Sequence, residues 1–288
     1  MKGLLIVNGF LESAKLSSIY DMLKSSANKL SMELECVRSS DLLHEYSHLK
    51  KLSCDFVLFW DKDVLLCEML EDCGFPVFNS SFAVFLCDNK AYTAKALRRA
   101  GVNTPLTFAS PMTFEGVGYT DISFVRRTAE ILHYPLILKE AYGSFGQQVY
   151  MINNENELCE KVASLAAKPF IMQEAVKSSF GRDVRVNVVG DRVICSMLRY
   201  SVNGDFRSNI SNGGQMEAYS VTDEQCAAAL SACRALGLDF AGVDVMFGKD
   251  GEAVVCEVNS NPHFLSSYQC TGVDLSYHIL KYIKDKLQ

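Results

Sequence analysis

The segment from Asp244 to Pro262 constrains this chain most, because it sets two carboxylates against each other inside an apolar hairpin. Ala241 to Phe247 and Ala253 to Val258 are short, Val-rich runs, and the residues between them, Gly248-Lys249-Asp250-Gly251-Glu252, supply a hairpin connection. With Asp250-Gly251 as the two-residue loop, Asp244 lies directly opposite Glu257, and Asn259, two residues on, shares their face. Bare carboxylates so placed repel each other and lose hydration. A divalent cation removes the conflict. Two carboxylates and an amide oxygen suit Mg²⁺ or Mn²⁺, and so few protein ligands leave positions open for water or phosphate oxygens. The alternative is a solvated hairpin edge carrying incidental acids.

A chain of 288 residues has room for two or three compact units. Hydrophobic residues make up 49% and charged residues 22%, with no apolar run long enough to cross a membrane, so a soluble protein without a membrane partner is expected. Leu4 to Val7 is of strand length and lacks the flanks of a signal core, which points to the cytoplasm. The 11 cysteines, an odd number with no Cys-x-x-Cys pair, read as reduced thiols. A net charge of -6 argues against a nucleic-acid partner.

Apolar strands at Leu4 to Val7, Glu33 to Val37 and Phe56 to Trp60 alternate with helices at Ser17 to Leu30 and Val64 to Cys73, and predict a small parallel α/β domain. Within it His44-Glu45-Tyr46-Ser47-His48 matches the zinc-protease pattern H-E-x-x-H. That chemistry needs both histidines on one face of a stable helix together with a third ligand, and here the match lies in a short polar stretch. A solvated surface segment is expected, with a zinc hydrolase as the remote alternative.

Further on, Asp88 reads as the cap of a helix that starts with Lys90 and stops at Gly101. A cation in the first turn opposes the helix dipole and makes sense beside a bound anion. Tyr134 to Lys139 is an apolar strand ending in a lysine, followed by the glycine-bearing loop Tyr142-Gly143-Ser144-Phe145-Gly146-Gln147-Gln148, which is not a Walker motif. Another strand ends at Glu174. In Arg182 to Val189, Asp183, Arg185 and Asn187 share one face and Val184, Val186 and Val188 the other, the pattern of a half-buried antiparallel strand. Arg199 and the loop Asp205-Phe206-Arg207-Ser208-Asn209 then gather fixed positive charge and amides that suit a polyanion. A helix from Thr222 to Leu236, capped by Thr222 and stopped by Gly237, leads into the hairpin, and a helix from Leu275 to Lys286 follows.

Taken in order, Lys90, Lys139 before a glycine loop, Glu174, Asp183, Arg199, Asp205 to Asn209, Asp244, Glu257 and Asn259 resemble the ATP-grasp ligases, above all their RimK-type branch. The resemblance runs from Pro76 to Tyr277, and Gly204 to Asn209 and Ala241 to Asp244 are its specific parts. It implies an ATP-grasp fold of the α/β class, two α+β lobes behind a small parallel, Rossmann-like domain, with units at 1–87, 88–172 and 173–288. It further implies that Lys90, Lys139 and Ser144 contact the phosphates of ATP, that the backbone at Glu174-Ala175 reads adenine and that Asp183 meets the ribose. Two Mg²⁺ (or Mn²⁺) ions would sit on Asp244, Glu257 and Asn259, while Arg199, Arg207, Ser208 and Asn209 would face the transferred phosphoryl group and a carboxylate substrate. The implied reaction joins an amine such as glutamate to a peptide, protein or small carboxylate through an acyl phosphate, in a homo-oligomer. An ATP-binding module without turnover is the alternative. One departure stands out: after Asn259-Ser260-Asn261-Pro262 the family commonly continues with Gly, and this chain has His263-Phe264, a bulky pair expected beside the acceptor site.

Overall fold

In the computed structural model, which describes residues 1–143, 147–208 and 213–288, the chain begins with a sheet whose inner strands, Lys2–Val7 and Phe56–Trp60, are almost wholly buried. Its strands are β1 (Lys2–Val7), β2 (Glu33–Arg38), β3 (Phe56–Trp60) and β4 (Val77–Phe78), parallel and in the order β2-β1-β3-β4. Burial on both faces is what a parallel sheet with crossover helices requires. Helix α1 (Ala14–Lys29), capped by the Ser13 hydroxyl, covers one face, and α3 (Val64–Asp72) the other. Between them α2 (Tyr46–Leu49) is a single turn.

Helices α4 (Ser81–Asp88) and α5 (Lys90–Arg99) follow and pack Ala83, Leu86 and Leu97 into the core of a later sheet. The cap of α5 is Asn89, whose Oδ1 accepts from the amides of Ala91 and Tyr92. Asp88, expected in that role, is instead the last residue of α4, and its carboxylate pairs with Lys62. The amide of Asn89 reaches the next turn as well as a carboxylate does, so the identity of the cap was open by one residue.

The next sheet is antiparallel. Strands β5 (Thr107–Ala109), β6 (Leu136–Glu140), β7 (Val149–Ile152) and β8 (Phe170–Glu174) lie in the order β5-β8-β6-β7, backed by α6 (Ser123–Leu132) and α7 (Glu155–Leu165). A third sheet is formed by β9 (Arg182–Val189), β10 (Arg192–Tyr200), β11 (Gln215–Ala218), β12 (Phe240–Phe247) and β13 (Ala253–Asn259), in the order β11-β10-β9-β12-β13. Helix α8 (Asp223–Leu236) lies against it. Thr222 caps it as expected and forms a capping box with Gln225, and Gly237 (φ +68) ends the helix in the left-handed region. Helix α9 (Leu265–Thr271) lies on the third sheet, and α10 (Leu275–Leu287) returns to the first, where Ile279, Leu280 and Ile283 join the core of Leu5, Ile19 and Phe56. No helix among the described residues is long and apolar enough to cross a membrane.

Two readings change in detail. Strand β9 is not half-buried: it is central, its Val face lies in the core, and on its polar face Asn187 is 0% and Arg185 9% exposed. Alternation cannot tell a solvated polar face from one that another part of the chain covers. The hairpin also turns differently. Its connection is Gly248 to Glu252, closed by Gly248 N donating to Glu252 O (2.8 Å), and not a two-residue turn at Asp250-Gly251. A bulge at Cys256 then restores the register, so Asp244 still faces Glu257.

Asn79 joins the first sheet to the third. Wholly buried, it donates from Nδ2 to the carbonyls of Phe240 (3.0 Å) and Ser260 (2.9 Å), and its Oδ1 accepts from the amide of Asp239 (2.7 Å). Truncation to Ala leaves these buried backbone groups unpaired. Asn79→Ala is expected to destabilise the protein by at least about 2 kcal/mol, measured by urea unfolding, and Asn79→Asp should do no less harm, because it sets a buried carboxylate oxygen against the carbonyls of Phe240 and Ser260.

Candidate active site

The polar face of β9 becomes a site because its cross-strand neighbours carry the opposite charge. Asp183 lies opposite Arg199 of β10, and Arg185 opposite Asp244 of β12. Arg199 grips Asp183 with two nitrogens (2.8 and 2.5 Å) and reaches Asp244 Oδ1 with one of them (3.0 Å). Arg185 binds the same Asp244 through Nε and through Nη2 (3.0 Å). Gly242 makes room for this: a Cβ there would lie 3.1 Å from Arg185 Nη1 and 3.0 Å from Pro262. Burial works against the Arg199 charge, yet Asp183 and Asp244 outweigh it and raise the pKa. For Asp244 burial pushes the carboxyl up, and Arg185 and Arg199 more than reverse it, holding it below the usual carboxylate range. Arg185 is the functional residue that sequence reasoning passed over. Its signal was present, since it shares the face of Asp183.

Two clefts meet at this cluster. One lies between the second and third sheets and is open to solvent. Lys139, Glu174 and Asp183 line it, as do Arg207 and Ser208. The other, larger one lies between the first and third sheets and takes in Lys90, Asn259 and His263. Arg199, Asp244 and Glu257 line both. The structure thus brings most of the expected residues together. Ser144 and Asn209 lie outside the described residues. Ala175 follows β8, its carbonyl accepting from Lys177 N (2.9 Å), while Glu174 is tied to Leu106 by its amide (3.0 Å) and its carboxylate (2.7 Å). Asp183 has both oxygens on Arg199. Arg207 folds back on Asp205.

The charges in the clefts are incompletely matched. Lys139 is 7% exposed, and among the described residues its polar partner is the Cys256 thiol (3.6 Å). A thiol is a weak acceptor and a poor counterpart for a buried ammonium. Lys90 donates to the Gly143 carbonyl (2.9 Å), and burial lowers its pKa against the opposing field of Glu257. Neither lysine is in an ion pair among the described residues. Glu257 likewise has no hydrogen bond or ion pair there. An anion beside the lysines and a cation beside Glu257 would complete the site.

The donor set fits a hard cation in part. Glu257 offers an unengaged carboxylate, and Asn259 donates weakly from Nδ2 to Gly242 O (3.4 Å), which leaves its Oδ1 as an acceptor. Asp244 is held by two arginines and would have to exchange at least one for a metal. The H-E-x-x-H segment has none of this geometry. His44 precedes α2 and bonds Asp63 (2.9 Å), and His48 bonds Glu45 (2.9 Å).

His263 and Phe264, expected side by side at the acceptor site, part company. Phe264 is wholly buried and packs edge-on against Trp60 (5.9 Å), which also stacks on Phe240 (5.6 Å), so it belongs to the core between the first and third sheets. His263 alone faces the larger cleft. Burial, then the fields of Arg185, Lys15 and Lys62, pull its pKa from 6.5 to about 4. Between those values the unfolded chain binds a proton that the folded one does not. Stability is therefore intact above about 6.5 and falls as the pH drops through this window, by up to roughly 1.4 kcal/mol per unit. His263→Asn should flatten that slope in urea unfolding across the same range.

A family model, the RimK-like ATP-grasp domain, matches residues 87–283. The chain is 36% identical over 219 residues to β-citrylglutamate synthase B of Danio rerio, covering 75% of this chain and 52% of that one. It is 34% identical over 223 residues to N-acetylaspartylglutamate synthase A of Homo sapiens, covering 77% and 56%. The chain therefore spans about half the length of these relatives. Its fold matches that of D-alanine–D-alanine ligase from Bacillus anthracis with a TM-score of 0.74 at 20% identity, over 99% of this chain and 96% of that one. Parallel and antiparallel sheets, the meeting of two clefts and the matched domain agree: the chain belongs to the RimK-like ATP-grasp family.

Proposed function

We propose that this protein is an ATP-dependent, ADP-forming carboxylate–amine ligase that adds glutamate, or a similar amino acid, to a small carboxylate or an acidic peptide. The observation that carries the reading is the charge mismatch in the clefts. Two poorly matched lysines, Lys90 and Lys139, and one unengaged carboxylate, Glu257, are the complement of a polyphosphate with a divalent cation. Relatives whose names specify glutamate products, β-citrylglutamate and N-acetylaspartylglutamate, support glutamate as the amine.

In this reading ATP lies in the smaller cleft with the Glu174-Ala175 backbone at adenine, and its phosphates reach the junction of the two clefts, where Lys139, Ser144 and, from the larger cleft, Lys90 would hold them. The ribose contact of Asp183 would share a carboxylate that already holds Arg199. Asp244, Glu257 and Asn259 would hold two Mg²⁺ (or Mn²⁺) ions, whose chemistry is to neutralise the triphosphate. Arg199, with Arg207, Ser208 and Asn209, faces the phosphoryl group in transfer. The acid attacks the γ-phosphorus, ADP leaves, and the amine then attacks the acyl carbonyl of the mixed anhydride. The C–N bond forms as the C–O bond to phosphate breaks. Units at 1–87, 88–172 and 173–288 remain the proposed division of the chain.

ADP release with Mg–ATP, glutamate and a panel of acids (citrate, N-acetylaspartate, short acidic peptides) tests the proposal. Turnover that requires both acid and amine is expected. Tight ATP binding without turnover on any pair would favour the binding-module alternative.

A further inference from the structure

One end of the larger cleft gathers positive charge around an imidazole. Lys15, in the first turn of α1, and His263, between β13 and α9, line it together with Arg185 of β9. These residues come from separate elements, and two observations place them close. Arg185 Nη1 and Pro262 both border Gly242, where a Cβ would lie 3.1 and 3.0 Å from them, so the residue before His263 rests beside the guanidinium. The charges whose fields reach His263 are those of Arg185, Lys15 and Lys62, with no acid among them.

Acids line other parts of the same cleft. Asp88 pairs with Lys62, and Asp244 is held between Arg185 and Arg199. Asp61 offers one oxygen to Asn8 Nδ2 (3.0 Å) and to the amide of Lys62 (2.7 Å), while its other oxygen is sealed from the cleft. The Asp61 carbonyl in turn accepts from Asn261 Nδ2 (3.0 Å). Glu257 stands where the two clefts meet. At the His263 end, Lys15 is exposed and has no hydrogen bond or ion pair among the described residues. Arg185 uses Nε and Nη2 on Asp244, which leaves Nη1 without a hydrogen bond there.

Like charges gathered around a neutral side chain repel one another, and partial burial weakens the screening by water. A carboxylate set among them is attracted by every one. It accepts from the Lys15 ammonium and from the ring N–H that a neutral imidazole keeps. An ammonium group in the same place would add to the repulsion, so the sign of the charge favours the acid substrate over the amine.

We infer that Lys15 and His263, with Arg185 behind them, hold a second carboxylate of the acid substrate, one that takes no part in the reaction, so that the acid is a di- or tricarboxylic acid. The inference rests on the ligase reading for the role of that acid and adds which acids enter. Arg199, Asp244 and Glu257 line both clefts, so an acid anchored at the His263 end can present its other carboxylate to the junction where phosphoryl transfer is proposed. His263, in place of the small residue common in the family, then contributes a donor to the substrate.

The test reads binding apart from turnover. Isothermal titration calorimetry on the full chain, with Mg²⁺ and a non-hydrolysable ATP analogue present, takes succinate, glutarate, citrate and N-acetyl-L-aspartate, each against a monoamide that keeps its shape and loses one carboxylate. L-Glutamate against L-glutamine is the matching pair for the amine. The variants are Lys15→Met, at an exposed helical position, and His263→Asn. In the wild type at least one of these acids should bind about tenfold more tightly than its monoamide. Its Kd should rise about fivefold in Lys15→Met and about threefold in His263→Asn, with the monoamide, the ATP analogue and L-glutamate within about twofold of wild type. No preference for any acid over its monoamide, or a preference that both variants keep, overturns the subsite. A loss confined to L-glutamate would give this carboxylate to the amine and overturn its assignment to the acid. ADP release with Mg–ATP is followed alongside. A preference that Lys15→Met removes, in a protein without amine-dependent ADP release, would uphold the carboxylate subsite and defeat the ligase reading, so the two failures are told apart.

Discussion

Asp244→Ala is expected to cost about 3–5 kcal/mol of stability and to abolish ADP release. Asp244 is 4% exposed and is the anion shared by Arg185 and Arg199. Its removal leaves Arg199 with Asp183 but strips Arg185 of its counter-charge among the described residues, and a buried guanidinium without a partner is among the most destabilising defects a fold can carry. Urea unfolding measures the loss. The double variant Arg185→Met with Asp244→Leu separates the two roles of the residue. With both charges replaced by apolar volume most of the stability should return, and catalysis should not. A double variant as unstable as the single one would mean that packing, and not charge, governs this position.

Glu257→Gln should show the opposite balance. Glu257 faces Asp244 across the hairpin, yet it has no hydrogen bond or ion pair among the described residues. The amide costs no pairing, so stability should stay within about 0.5 kcal/mol of wild type. Activity should fall by about 10³-fold, the scale seen when a charge that supports a transition state is removed. Titration with Mn²⁺ followed by electron paramagnetic resonance should show weaker metal binding in the presence of ATP. Unchanged metal affinity in Glu257→Gln would remove Glu257 from the metal set. The two acids of one hairpin thus differ: one is locked by arginines and supports the fold, and the other is exposed to both clefts.

Much of this arrangement was legible because period and chemistry agree along the strands. The facing of Asp244 and Glu257 follows from the Val-rich hairpin, although the expected turn was wrong. The five-residue connection and the bulge at Cys256 offset each other, and neither leaves a distinct mark in the residues. Alternation in β9 separated Asp183, Arg185 and Asn187 from the valines, but the covering of that face depends on the first sheet and on α9, which local pattern cannot report. Asn187, for instance, bonds Ser267 (2.9 Å). The capping of α5 slipped by one residue because Asp88 and Asn89 are both good caps. Phe264 looked like a site residue by its place after Pro262, and only its packing on Trp60 assigns it to the core. Asp61 and Asn261 are separated by 200 positions and carry no motif, so their meeting was invisible until the chain was folded.

The measurement that bears most directly on carboxylate activation is the fate of a labelled oxygen. The acid substrate, labelled with ¹⁸O in its carboxylate, is turned over with Mg–ATP and amine, and the released phosphate is analysed by mass spectrometry. Attack of the carboxylate on the γ-phosphorus, followed by displacement by the amine, predicts one ¹⁸O in each phosphate formed. Phosphate that carries oxygen from solvent alone would mean that water takes the phosphoryl group, and would contradict the proposed ligase.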